Sequence, residues 1–245
     1  MSTRAGARTV ATVLAGAVIA GWTGPAAASA QQAYAVLGDG TESYPVSTGA
    51  VGDGAASGLA PAGVQRVAAL ADGGFLVTDS DTHTVRRVGT DGVVRTVAGS
   101  TAAVGANTRF YEGAPATAVR LYSPDQVVGM PDGGFVFSDG GLLRRVSPDG
   151  RVTTMAGGGP SLAEGAEARR ARLEVRALAL MPDGSLLVSS LGRIRRIGLD
   201  GRVFTVAGNG TNGDAGDGGP AINASLRLPD GLAALPDGGF LIADT

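Results

Sequence analysis

Along most of the chain the apolar residues come in short runs separated by Asp-Gly, a spacing that suits strands and tight turns rather than helices. Val67 to Leu70 leads into Ala71-Asp72-Gly73-Gly74, and Phe75 to Thr78 follows at once. Asp-Gly between two apolar runs marks a hairpin, because the turn needs positive φ angles that glycine reaches without steric cost. Val85 to Val88 is a third run, Asp91-Gly92 a second turn, and Val94 to Gly99 a fourth run. The pattern predicts four short antiparallel strands joined by hairpins.

The same phrase then returns. Complete copies occupy residues 67–99, 127–157 and 177–208, and Gly231 opens another that reaches Thr245. The first-turn aspartates are Asp72, Asp132, Asp183 and Asp237, so the period is 60, 51 and 54 residues. Four strands repeated at this interval predict an all-β fold, a β-propeller of four-stranded antiparallel blades. The variation in period falls in the connectors, where loops absorb insertions at small entropic cost. Residues 33–38, Ala-Tyr-Ala-Val-Leu-Gly, resemble the fourth strand of a copy, and the segment after them matches the connector after residue 208. About three and a half blades are expected in the chain. Closing a ring takes about four to eight, and the expectation is a propeller truncated at its C-terminus.

The order Pro-Asp-Gly, apolar strand, Ala-Asp-Thr, Arg-Arg-Val, Pro-Asp-Gly-Arg-Val-Thr-Thr, joined by "GDGGPAINASLRLPDGLA", resembles the NHL repeats of bacterial secreted proteins and teneurins over nearly all of residues 34–245. The resemblance implies six blades in a complete protein. The third copy departs from the pattern with Ser190 where the others carry Asp79, Asp139 and Asp244.

The first thirty residues differ from the rest. Arg4 and Arg8 precede an apolar stretch over residues 9–21, and Ala28-Ser29-Ala30 has the small residues of a cleavage site. We read residues 1–30 as a signal peptide cut before Gln31, followed by a propeller domain over residues 31–245, with the protein secreted. The apolar stretch is shorter than the ~20 residues of a bilayer span, and no later run could cross a membrane. Without the leader, 18 arginines face 22 acidic residues. That excess of acid argues against a nucleic-acid partner, which calls for clustered cations. With no cysteine there is neither disulfide nor thiolate metal site.

Candidate chemistry is sparse. The pairs Arg86-Arg87, Arg144-Arg145 and Arg195-Arg196 could suggest an anion-binding stripe, but adjacent strand residues point to opposite faces, so each pair is expected to serve structural pairing, one member facing an aspartate such as Asp79. His83, the only histidine, is expected in a turn, and one imidazole cannot assemble a zinc site of several. Gly208 to Gly213 matches G-x-G-x-x-G, yet Asp214, Gly216 and Pro220 follow instead of a helix, so a connector is expected there. Asn209, Asn212, Asp214 and Asp217 put oxygen ligands in that connector, which makes calcium a candidate; no other cofactor is expected. Residues 163–175 suggest a helical turn pairing Glu167 with Arg170.

Two function classes remain. One is an exported, non-catalytic scaffold that binds an extracellular protein, glycan or cell-envelope ligand through its loops or central funnel. The other is a metal-dependent six-bladed propeller enzyme, similar to gluconolactonases or lyases. A lone His83 disfavours the histidine-dependent lyases, so the scaffold is the preferred expectation, with no catalytic residue assigned.

Overall fold

The computed structural model describes residues 9–14, 17–22, 64–100 and 111–245. β1 (Thr9–Leu14) and β2 (Ala17–Trp22), which fall within and beside the apolar stretch of residues 9–21, pair antiparallel. Ala28 and Ala30 of the expected cleavage site, and residues 33–38, lie outside the described residues.

The repeats form blades. β3 (Val64–Ala69), β4 (Phe75–Asp79), β5 (Thr84–Val88) and β6 (Val94–Ala98) make one antiparallel sheet in chain order. The second blade uses β7 (Ala114–Pro115), β8 (Pro124–Gly129), β9 (Phe135–Asp139), β10 (Leu142–Val146) and β11 (Arg151–Gly157). The third uses β12 (Ala166–Glu167), β13 (Ala177–Leu180), β14 (Leu186–Ser190), β15 (Arg193–Ile197) and β16 (Arg202–Ala207). β17 (Pro229–Ala234) and β18 (Phe240–Asp244) pair as the first half of a fourth. Two blades therefore have a fifth strand, because the connector lays β7 against β11 and β12 against β16 before it turns inward. Short 3-10 turns follow at 116–118, 168–170 and 221–223, and Glu167 reaches Arg170 at 3.2 Å as the spacing predicted.

The first strands of successive blades lie side by side around the axis. Between blades the core is continuous. Phe135 and Phe137 of β9 pack with Leu76 and Val85 of the first blade, whereas Val136 between them packs with Leu186 and Val188 of the third. The strand alternation thus feeds two interfaces, and β9 and β14 are buried at every position. Each fully buried aliphatic side chain there contributes about 1.5–3 kcal/mol. The fourth-strand glycines are required sterically: a Cβ on Gly157, at φ +88°, would lie 2.2 Å from the Gly141 carbonyl oxygen, and one on Gly99 would lie 2.4 Å from that of His83.

Candidate functional site

The arginine pairs split between two structural tasks. The second member, Arg87, Arg145 or Arg196, binds the carboxylate of the first-turn aspartate Asp72, Asp132 or Asp183. The same aspartates accept the N–H two residues on, at 3.0 Å from Gly74 and Gly134 and 3.1 Å from Ser185, which closes the turn. Backbone and arginine hold Asp72 below the usual carboxylate range. The first member is buried: Arg86 and Arg144 are each 1% exposed and Arg195 4%. In each of the three complete blades the pairing of third and fourth strands shifts register just before this arginine, skipping Val97, Met155 or Val206 and setting a threonine opposite it.

One member of every pair thus faces an aspartate, as expected; of the first members, Arg86 lies 4.0 Å from Asp79. In the second and third blades the partner is a connector acid. Glu112 lies 3.4 Å from Arg144, and Glu164 lies 3.7 Å from Arg195. Each of these glutamates also accepts the N–H and hydroxyl of the opposing threonine, Thr154 or Thr205, strapping the connector to its blade. Partial burial pushes Glu112 up, but Thr154, Arg144 and Arg169 outweigh it and hold the carboxyl low. Burial pulls both Arg144 and Arg195 down against the push of their acids.

Asp139 does something else. Its carboxylate accepts the N–H groups of Tyr122 at 2.7 Å and Ser123 at 2.8 Å, and Asp244 does the same for Arg227 and Leu228. These aspartates seat the chain as it approaches the first strand. Ser190, in the third blade, accepts one N–H, from Glu174 at 2.9 Å. Burial raises Asp79 and Asp139 above the ordinary aspartate value, more than their N–H donors and arginines lower them.

The chain seated in this way builds the candidate site. Between the second and third blades, on the side where their first strands begin, lies a cleft of ≈ 600 Å³ lined by Tyr122, Asp125, Arg172, Glu174 and Arg176. Tyr122 is 71% exposed. Its ring lies against Gly140, where a Cβ would approach Cδ1 to 3.0 Å, so glycine makes room for the ring. Arg172 reaches Glu174 at 3.2 Å. Ion pairs link neighbouring blades on this side, Arg66 with Asp125 at 3.7 Å and Arg176 with Asp230 at 3.6 Å. The cleft presents an aromatic face ringed by donors and acceptors of both charges.

None of these residues was singled out in the sequence. The signal was present: seven positions before the first-turn aspartates stand Gln65, Asp125, Arg176 and Asp230, polar residues where an inner strand should begin. They fall one or two positions before the bounds of the four copies. A second cavity, of ≈ 590 Å³, opens between the first two blades at their Asp-Gly turns, over Leu70, Leu76, Met130 and Phe135.

His83 is in a turn, as expected, with φ +55°. Residues 208–213 form a connector loop rather than opening a helix. Within it the Asn209 amide donates to the Asn223 carbonyl at 3.0 Å and its Oδ1 accepts the Thr211 N–H at 2.7 Å, so this side chain is engaged by its own loop. Asn212, Asp214 and Asp217 lie in the same loop, and Asp217 stands four residues before a 3-10 turn, as Glu112 and Glu164 do. Among the described residues no group of three or more His, Cys, Asp or Glu side chains is placed to hold a metal ion, and no helix is long and apolar enough to cross a membrane.

No family model matches the chain. It is similar to teneurin-1 of Homo sapiens, 26% identical over 235 residues, and of Mus musculus, 27% identical over 235 residues, each covering 85% of this chain. The match spans only 9% of each teneurin. Among solved structures, an auxiliary nutrient binding protein from Bacteroides ovatus is 16% identical with a TM-score of 0.54, over 76% of this chain and 46% of that one. Virginiamycin B lyase from Staphylococcus aureus covers 94% of this chain and 71% of that one, at 12% identity and a TM-score of 0.47. The likeness to the nutrient binding protein shows the fold alone.

Proposed function

We propose that this NHL-type propeller is an exported, non-catalytic scaffold that binds a glycan in the cleft between its second and third blades. One observation carries the reading: an exposed Tyr122 beside Arg172, Glu174, Asp125 and Arg176 in a cleft of ≈ 600 Å³. A sugar offers an apolar ring face and a rim of hydroxyls. Tyrosine stacks on such a face, while paired charges donate to and accept from hydroxyls without imposing a net charge on the ligand. Backbone bonds from Tyr122 to Asp139 and from Glu174 to Ser190 seat these groups before the ligand arrives, which lowers the entropic cost of binding. Export rests on the leader composition of residues 1–30.

Glycan-panel binding followed by titration calorimetry tests the reading. Tyr122→Ala is expected to weaken the best ligand by about tenfold or more, in line with the loss of an aromatic anchor, while leaving the unfolding midpoint in place. Turnover of a lactone or glycoside with stoichiometric bound metal would overturn the scaffold in favour of a propeller hydrolase or lyase. Calcium at Asn209, Asn212, Asp214 and Asp217 is a separate proposal supported by the oxygen-rich loop, and the same calorimeter with calcium alone decides it.

A further inference from the structure

We infer that the cavity between the first and second blades is a second ligand site, which takes an uncharged amphipathic small molecule: an apolar ring system carrying a hydroxyl or carbonyl oxygen. It opens at the Asp-Gly turns where the first strands end, whereas the candidate cleft lies where they begin, and both of its walls belong to complete blades. Its volume of ≈ 590 Å³ falls within the roughly 300–1,000 Å³ of small-molecule pockets. The floor is apolar. Leu76, Phe135 and Val146 are 1%, 6% and 3% exposed beneath the half-buried Leu70 and Met130, and a ligand ring laid on them removes apolar surface from water.

The mouth specifies the polar part of the ligand. Arg87 binds Asp72 there, and Asp149 lies 3.4 Å from Arg151, so the charges are matched and none is left to select an ion. One donor remains. In the third blade Arg196 gives its Nε–H to the Ser185 hydroxyl at 2.9 Å, but Gly74 stands at that place in the first blade, so the Arg87 Nε–H has no side-chain partner among the described residues. A neutral oxygen acceptor on the ligand satisfies it.

Two short side chains, Val97 and Thr117, keep the space open. At the matching positions between the second and third blades stand Met155, packed against the core, and Arg169, which reaches Glu112 at 3.6 Å. The next interface therefore shows which longer side chains this backbone accepts at both places.

The test uses the 245-residue protein and prodan, an uncharged naphthalene ketone whose emission shifts to the blue in an apolar site. Saturable binding to a single class of site, with that blue shift, is expected. Val97→Met with Thr117→Arg should weaken it by about tenfold or more as the filled space excludes the ring from its apolar contacts, with the unfolding midpoint kept. Thr117→Arg alone, at an exposed position, should weaken binding in the same direction and carries the test if the double variant fails to fold. Tyr122→Ala, in the cleft at the other end, should leave prodan binding unchanged. Absence of saturable binding, a folded filling variant that binds as the parent does, or loss of binding on Tyr122→Ala overturns the proposal. Tighter binding of the anionic anilinonaphthalene sulfonate than of prodan overturns it as well, because the site would then select charge.

Discussion

In the second blade the approaching chain gives two N–H groups, from Tyr122 and Ser123, to the buried carboxylate of Asp139, while in the third a single N–H, from Glu174, goes to the hydroxyl of Ser190. The first strands differ in step. β8 shifts register between Pro124 and Val127, whereas β13 pairs without a break from Ala177↔Ser189 to Leu180↔Leu186. The fourth blade follows the second, with a shift between Pro229 and Gly231 and two N–H groups on Asp244. Beside the shift the Gln126 N–H goes to the Ser138 hydroxyl, and the Asp139 carboxylate takes the two N–H groups that precede the strand, more than one hydroxyl could accept as well. What this position requires is an acceptor of matching capacity. A charge is secondary, which is why the serine copy keeps a complete blade.

The comparison has its largest expected effect in the packing that both blades share. Phe137 is 0% exposed at the first interface and Leu187 1% exposed at the last; Phe137→Ala should cost about 3–5 kcal/mol and Leu187→Ala about 2–5 kcal/mol in denaturant unfolding. A near-neutral Phe137→Ala would show that the second blade is held mainly by its polar seat. Next comes the seat itself. Asp139→Ser leaves one of two N–H groups without its acceptor and should cost about 1–3 kcal/mol, whereas Ser190→Ala, losing one neutral hydrogen bond, should cost about 0.5–1.5 kcal/mol. Equal costs would show that the second N–H on Asp139 adds nothing to the seat.

The smallest effect is on pH dependence. Burial raises the Asp139 carboxyl above its ordinary value of 3.8. A raised folded value means that its stabilisation is complete below the unfolded value and is lost as pH climbs through the folded one. Asp139→Ser should therefore flatten the decline in stability above the ordinary aspartate range. Asp91 has the opposite sign: the Arg95 guanidinium and the Val93 N–H hold it at about 2, so its contribution is present above 3.8 and is lost as pH falls from 3.8 toward about 2. Asp91→Asn should remove only this acid-side loss, read from unfolding midpoints across the acid range.

The repeat, its four strands and its Asp-Gly turns were legible in the sequence because they are local: alternation and glycine at positive φ depend on a few neighbouring residues. The opposite faces of each arginine pair followed from the same geometry, and so did the Glu167–Arg170 contact. The partners did not. Glu112 meets Arg144 across thirty-two residues of chain, and which acid receives which arginine depends on how the connector folds back over the fourth strand. The candidate cleft was hidden for the same reason, since Tyr122 and Asp125 of one blade meet Arg172 and Glu174 of the next only after the blades pack. The amino-acid order alone determined the blade, its strands and the places of its acids. Packing between blades decided what each acid serves, because an ion pair or a cleft depends on distances through space that no spacing along the chain contains.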